Sequence, residues 1–518
     1  MSKVSWTDEQ LNAISAYGSP IIVSAAAGSG KTAVLVERTI RLLSDSSKNI
    51  PADRILAVTF TNDAASQMRR KLSEALENAA HNAPDNEWLQ RQQSLLRLAD
   101  ITTINSFCYG LLKDNISATD FQSGVRILEE TEADMLTERA LTSVLENEYA
   151  ADSAGMEELI SLFCHENDSA LRGIILQLYT FLRSLPFKDL WINDNLKALQ
   201  NGTQAQIAKD HFFNKAKDKA EVLLSSCNQL ESCCEELEHY KKNKQVFYEN
   251  VAIGRKIAKD VKTLSWNEIK EKYTKVTTAN LSGGKRSKAD IDNTSEIEAA
   301  FYETAKKHNT VIKEVSAKIV SYFGFDDETI ASDSLLVADY FKRLCTLCDK
   351  LDNEVHRLKV ERNAVDFADT ELIAVSLLAS CDENGVITRT PLAEEMIATQ
   401  RYKLIIIDEF QDVNNLQDVI FKVISNTDDL TKIGSNLFAV GDAKQSIYRF
   451  RLSNPKVFMN TRLDGKNPES SVTELLLTKN FRSRDNVLKF ANYIFSSLMC
   501  QDLGETDYTH EEELVLGA

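Results

Sequence analysis

Two short segments of this chain carry residue types that could hold and cleave a nucleoside triphosphate. The first is Ala25-Ala-Ala-Gly-Ser-Gly-Lys-Thr32. Gly28 and Gly30 give the turn its permissive dihedrals, Lys31 can reach the β- and γ-phosphates, and Thr32 can ligate magnesium. Ala26, Ala27 and Ser29 complete the loop, and Ala25 stands where the strict pattern has glycine. The second segment, Ile405-Ile-Ile-Asp-Glu-Phe-Gln-Asp412, puts Asp408 and Glu409 at the end of an apolar run. Asp408 suits Mg2+ coordination. Glu409 suits orientation and deprotonation of the attacking water, since phosphoryl transfer is mostly positioning and charge stabilisation. The pair predicts an ATP site that uses Mg2+, with hydrolysis as its chemistry.

Such residues work only when a strand delivers them and a helix follows. Pro20-Ile-Ile-Val-Ser24, Arg54-Ile-Leu-Ala-Val-Thr-Phe60, Tyr402-Lys-Leu-Ile-Ile-Ile407 and Asn436-Leu-Phe-Ala-Val440 read as buried parallel strands. Residues 33–43 read as the helix after the phosphate loop. The alternation predicts an α/β fold, a doubly wound parallel sheet with its ligand at the carboxyl ends of the strands. Residues 113–360 are charged, poor in strand-like runs and rich in helix formers. Leu223, Leu230 and Leu237 recur at a seven-residue spacing, enough for one helix seam. Asn280-Leu-Ser-Gly-Gly-Lys-Arg-Ser-Lys288 interrupts that block as a polar, basic loop. The block reads as a helical domain inserted into the sheet domain.

Composition bounds the setting. A chain of 518 residues is too long for one core. A net charge of −17 argues against coating nucleic acid through bulk positive charge, while leaving a local groove open. No apolar run reaches membrane-spanning length, and the first ten residues carry charge where a signal peptide would be apolar. Nine scattered cysteines read as reduced thiols, so a cytoplasmic protein is expected. Cys345-x-x-Cys348 lies in a helical stretch and reads as packing, and the seven histidines form no metal-like spacing. No transition metal is expected.

Further segments follow in a fixed order: Trp6-Thr-Asp-Glu-Gln10, Ala57-Val-Thr-Phe-Thr-Asn62, Ile101-Thr-Thr-Ile-Asn-Ser-Phe107, Val365-Asp-Phe-Ala-Asp-Thr-Glu371, Val440-Gly-Asp-Ala-Lys-Gln-Ser-Ile-Tyr-Arg-Phe-Arg451 and Leu477-Thr-Lys-Asn-Phe-Arg-Ser483. The collinear series resembles the superfamily 1A helicases of the UvrD/RecB kind. The wording Lys-Gln-Ser-Ile-Tyr-Arg-Phe-Arg and the large insert resemble, within that family, the helicase/nuclease A subunits (AddA) of bacterial AddAB complexes. The resemblance implies a RecA-like P-loop domain 1A in two parts, 1–112 and 361–465, with helical domain 1B at 113–360 and the start of a second RecA-like domain, 2A, at 466–518.

It also implies roles. Gln10 would read adenine and Phe481 would stack on it; Gln445 would sense the γ-phosphate; Arg482 would approach that phosphate as an arginine finger. Lys31, Asp408, Glu409, Gln445 and Arg482 would form the catalytic set. Phe60, Thr61, Asn62, Asn105, Phe107, Phe450 and Arg451 would contact single-stranded DNA, where aromatic stacking contributes about 1–3 kcal/mol per base whatever the sequence. Taken singly, Phe60, Phe107 and Phe450 read as core residues. Asp63 departs from the family pattern and would repel a phosphate backbone; Asn105 stands where histidine is usual but can still hydrogen-bond. The implied activity is ATP-driven 3′–5′ movement on DNA beside an AddB-like partner, at duplex ends undergoing recombination repair. A stand-alone UvrD-like repair helicase without nuclease is the alternative. The family's remaining motor motifs and its nuclease domain would lie beyond Ala518, so this stretch is expected to bind nucleotide, hydrolyse it weakly and not unwind DNA.

Overall fold

Six short apolar runs form one sheet because their side chains alternate between two faces that are both covered. A computed structural model describes residues 5–163, 168–280, 295–449, 452–500 and 506–517. The strands are β1 (Ile21–Ala25), β2 (Ile55–Thr59), β3 (Asp100–Thr103), β4 (Leu404–Ile407), β5 (Leu437–Gly441) and β6 (Thr473–Leu477). They lie in the order β6-β1-β5-β4-β2-β3, parallel throughout. Ile22, Leu56, Val58, Ile405 and Ile407 point into one core, and Ile21, Val23, Ile55, Ala57 and Ile406 into the other. This period of two, with no polar face, is the mark of a parallel sheet wound on both sides.

Helices α1 (Asp8–Ser15), α2 (Lys31–Ser44) and α3 (Asn62–Asn82) fill one core; α4 (Ile104–Asp114), α5 (Phe367–Leu378), α6 (Asn415–Ile424) and α7 (Pro455–Lys466) fill the other. The α/β class with a central parallel sheet is as expected. The edge strands β3 and β6 escape the strand reading because edge strands are only half buried: β3 alternates and β6 is mostly intermediate. β6 pairs with β1 from Ile21↔Thr473 to Ala25↔Leu477, so the sheet runs on into the 466–518 stretch.

Buried charge braces the elements around the sheet. The Arg38 guanidinium, 2 % exposed, donates to the carbonyls of Ala13, Ile14 and Ala16 and lies 4.1 Å from the Phe438 ring centroid. That ties the end of α1 to α2, and burial lowers the guanidinium to about 10. Asp366 caps α5, and Lys359 binds both Asp366 and Asp369 at 2.6 and 2.7 Å. Arg183 clasps the same two carboxylates. One turn along α5, the Glu371 carboxylate accepts from Asn414 and Gln417 at the start of α6, at 2.8 and 2.7 Å. The Val365–Glu371 segment thus anchors the chain leaving Asp412.

The chain divides into two compact units, one of residues 1–190 with 347–518 and one of 191–346. The second unit is narrower than the 113–360 block read from composition, because helices Glu130–Ala151, Ser153–Phe163 and Ser169–Leu182 fall within the first. Within the second unit, Leu223, Leu230 and Leu237 are buried and share a core with Phe247, Ile257, Ile312 and Ile319. These come from helices Thr203–Glu235, Lys241–Thr263 and Glu296–Ser321, apart from Leu237 just past a helix end. The basic loop lies, after Asn280, outside the described residues. Cys345 and Cys348 are buried on helix Asp327–Glu361, as packing residues would be. Among the described residues no helix is long and apolar enough to cross a membrane.

Ile406 is fully buried in β4, between the sheet and its second core. Ile406→Ala is expected to cost about 2–5 kcal/mol in urea denaturation, the usual range for a buried isoleucine truncated to alanine.

Candidate nucleotide site

All six strands release their chains at the same end of the sheet, and the predicted residues collect there. β1 runs into the phosphate loop; Gly28 (φ +72°) and Gly30 (φ +84°) take the left-handed conformations the loop needs, and Gly30 caps α2. The first N–H groups of α2 have no intrahelical partner and, with the helix dipole, form an anion seat. Lys31, the first residue of α2, places its Nζ 2.8 Å from Glu409 Oε2. Residues 378 positions apart therefore meet as an ion pair across the space phosphate would fill.

Glu409 sits at φ +55°, a left-handed conformation costly for any residue with a Cβ, on the order of 1–3 kcal/mol. The strain turns its carboxylate back toward Lys31. Asp408 is partly buried beside it, and burial, then the Glu409 charge, raises its carboxyl to about 6. Asp412 is raised to about 6 by the same two causes in the same order. Its Oδ1, like Ser29 Oγ, is buried with no hydrogen-bond partner among the described residues. Three crowded carboxylates face one lysine. That set is short of positive charge, although among the described residues no three carboxylate, histidine or cysteine side chains are grouped as metal ligands.

Gln411, which the motif pattern does not single out, connects the parts. Its Nε2 donates to Glu409 at 2.9 Å and to Asp412 at 3.1 Å, and its Oε1 accepts from the Asp442 N–H at 2.9 Å. Asp442 in turn accepts from the Gln445 amide at 2.7 Å. The predicted γ-phosphate sensor is thereby linked by hydrogen bonds to the predicted base. The signal is present in the Asp-Glu-Phe-Gln-Asp wording, but only the fold shows where the glutamine points.

Gln10 is 7 % exposed; its Nε2 donates to the Ser29 carbonyl at 3.0 Å, and its Oε1 accepts from the Thr7 N–H. It supports the phosphate loop from below. The Leu477–Ser483 segment lies directly against the same loop. The Ala26 N–H donates to the Leu477 carbonyl and the Phe481 N–H to the Gly28 carbonyl, both at 2.9 Å. Phe481 is 46 % exposed, and Arg482, also exposed, has its Cβ beside Gly28.

The residues assigned to DNA divide. Phe60, Thr61 and Asn62 leave β2, and Asn105 follows β3, at the same end of the sheet. Thr61 caps α3, accepting from the Ala64 N–H. Asp63 lies in the first turn of α3, where a negative charge complements the helix dipole and gives the departure a structural reason. Phe60 packs against Tyr448 with centroids 4.3 Å apart and the rings tilted by 35°, an aromatic that the sequence alone does not mark. Phe107 is corrected: it is 6 % exposed and packs edge-on against Tyr402 inside the sheet core, so it has no face for a base. Phe450 and Arg451 lie outside the described residues.

The model of the UvrD/REP helicase N-terminal domain matches residues 6–465. The A subunit of an ATP-dependent helicase/nuclease from Clostridioides difficile (strain 630) is 32 % identical over 527 residues, covering 100 % of this chain and 40 % of its own length. Proteins of the same name from Clostridium kluyveri (strain NBRC 12016) and Thermoanaerobacter pseudethanolicus are each 33 % identical, with 98 % and 99 % of this chain covered. The chain spans about 40 % of the length of these curated relatives.

The raised carboxyls set a pH dependence. A carboxyl lifted from 3.8 to about 6 burdens the fold once ionised: the cost is absent below about pH 4, grows between about 4 and 6, and is complete above. Without nucleotide, Asp408→Asn is expected to melt at a higher temperature than the parent at about pH 7.5, with the gain shrinking as the pH falls through that window. Melting curves that coincide at every pH would show that Asp408 carries no such burden.

Proposed function

The chain belongs to the UvrD/REP helicase family, and on that footing we propose that it forms the nucleotide-binding wall of an ATP-driven DNA translocase. The observation that carries the reading is the Lys31–Glu409 pair, which brings the phosphate-binding cation and the strained candidate base into direct contact at the end of the sheet. Family membership implies ATP use. The finer reading assigns Mg2+ to Thr32 and Asp408; when bound, the ion neutralises charge on the β- and γ-phosphate oxygens.

The chain's own groups do the rest. Lys31 exchanges the Glu409 carboxylate for phosphate oxygens, and the released Glu409 takes a proton from the attacking water. Gln411 keeps Glu409 aimed while its other end reports through Asp442 to Gln445. Arg482 offers its guanidinium to the γ-phosphate from beside Gly28, and Phe481 offers a ring face to adenine. Gln10 steadies Ser29 and meets the base edge with its remaining hydrogen-bond capacity.

Single-stranded DNA would run past the ends of β2 and β3, over Thr61, Asn62 and Asn105, with the Phe60–Tyr448 pair as the stacking surface; the family resemblance adds Phe450 and Arg451 to the DNA contacts. For the whole protein we propose a cytoplasmic helicase/nuclease component that moves 3′–5′ from duplex ends, beside an AddB-like partner, in recombination repair of double-strand breaks. The names of the relatives, each the A subunit of an ATP-dependent helicase/nuclease, support the helicase/nuclease part of this reading, as does the match along essentially the whole chain.

Lys31→Ala tests the motor reading. The variant is expected to lose more than about 100-fold of its affinity for Mg·ATP, and the complete protein with its partner to lose single-stranded-DNA-stimulated ATPase activity. ATPase activity that survives this change would sink the proposal.

A further inference from the structure

We propose that Asn480 is a positioning residue that holds Arg482 against the phosphate loop before any nucleotide arrives, so that this chain itself distinguishes a nucleoside triphosphate from a diphosphate. The proposal rests on the reading that the loop binds nucleotide. Asn480 is 2 % exposed, although it lies in a turn among exposed neighbours. Its Nδ2 donates to the Ala27 carbonyl at 2.6 Å, and its Oδ1 accepts from the backbone N–H groups of Arg482 and Ser483 at 2.8 and 2.7 Å. One planar amide therefore grips the phosphate loop with its donor and the arginine-bearing turn with its acceptor. No other side chain of this size supplies both. Aspartate lacks the donor, and leucine lacks donor and acceptor alike.

The neighbourhood is built around that grip. A Cβ on Gly28 would lie 2.8 Å from Asn480 Nδ2 and 3.0 Å from Arg482 Cβ, so only glycine admits so close an approach. On the far side the Asn480 carbonyl accepts from the Gly517 N–H at 2.8 Å, where Lys479–Asn480 pairs with Val515–Leu516. One strand turn earlier, both oxygens of Glu9 accept from Thr478, from its N–H at 2.9 Å and its hydroxyl at 2.8 Å. The Glu9 and Asn480 contacts fasten the arginine turn to the phosphate loop and to α1. The guanidinium itself is exposed and has no acidic partner among the described residues, so it stays available for an incoming charge. The Arg482 backbone and Cβ are already held beside the loop, so less ordering is left to be done when the guanidinium meets its ligand. ADP lacks the group that this cation would meet.

The test is a double-mutant cycle on the full 518-residue chain, read as the ratio of Mg·ATPγS to Mg·ADP affinity by fluorescence of labelled nucleotide. Asn480→Ala and Arg482→Ala are each expected to reduce the triphosphate preference roughly 10- to 100-fold, the scale of one charge-assisted hydrogen bond, with ADP affinity held within about twofold. The double variant is expected to lose no more than either single variant, because one residue acts through the other. If Asn480→Ala unfolds, Asn480→Asp carries the test: it keeps the acceptor, loses the grip on Ala27 and is expected to lose the preference as well. Effects that add, a preference left intact, or ADP and ATPγS affinities falling together would each overturn the positioning role. A parent chain that binds neither nucleotide, indistinguishable from Lys31→Ala, would instead remove the reading on which the proposal stands.

Discussion

Everything at this site follows from one constraint: in a parallel sheet every strand delivers its chain to the same edge. Functional segments scattered from Gln10 to Arg482 are gathered along that edge by strand order alone. Across β6-β1-β5-β4-β2-β3, the arginine turn, the phosphate loop, the Gln445 segment, the Asp408–Glu409 pair and the two predicted DNA segments stand in a row. The predicted nucleotide segments and the predicted DNA segments meet between β4 and β2, where Ile55–Val58 pair with Leu404–Ile407. The two are joined directly by backbone hydrogen bonds such as that from the Asp408 N–H to the Val58 carbonyl at 3.0 Å.

Along that edge the local chemistry is unfavourable for the fold and suited to the ligand. Asp408 and Asp412 are raised by burial and by Glu409, Glu409 is strained, and Asp412 and Ser29 each leave a buried oxygen without a partner among the described residues. Local rules are expected to fail where binding rather than stability set the residues. The surrounding structure offsets the failure with its own buried polar braces: Arg38 on α1, Glu371 on the start of α6, and Lys359 with Arg183 on the cap of α5. None of these need touch nucleotide. Each braces a helix packed on the sheet that carries the predicted site.

The central strands are legible because two-sided burial leaves an unbroken apolar run, as in Ile405–Ile407, and the phosphate loop because glycine, lysine and threonine at those spacings have few other uses. The edge strands are not, since half-burial blurs the pattern in Asp100–Thr103 and Thr473–Leu477. Asn480 and Gln411 illustrate a deeper limit. An amide acquires a role only through what lies on each side of it, and those partners come from strands far apart in the chain. Phe107 shows the reverse error: its motif suggests a base platform, but its place on α4 turns the ring into the core.

The strand order also governs how such a chain can be assembled. β1 lies between β5 and β6, pairing Ile21 with both Phe438 and Thr473, so neither neighbour exists until the ribosome has passed residue 437. Until then only β2 finds its partners, β3 and then β4, and β1 with its phosphate loop waits as an apolar strand with two open edges. Such long-range parallel pairing closes slowly and leaves sticky intermediates. The phosphate loop is thus among the last parts of this unit to be set in place.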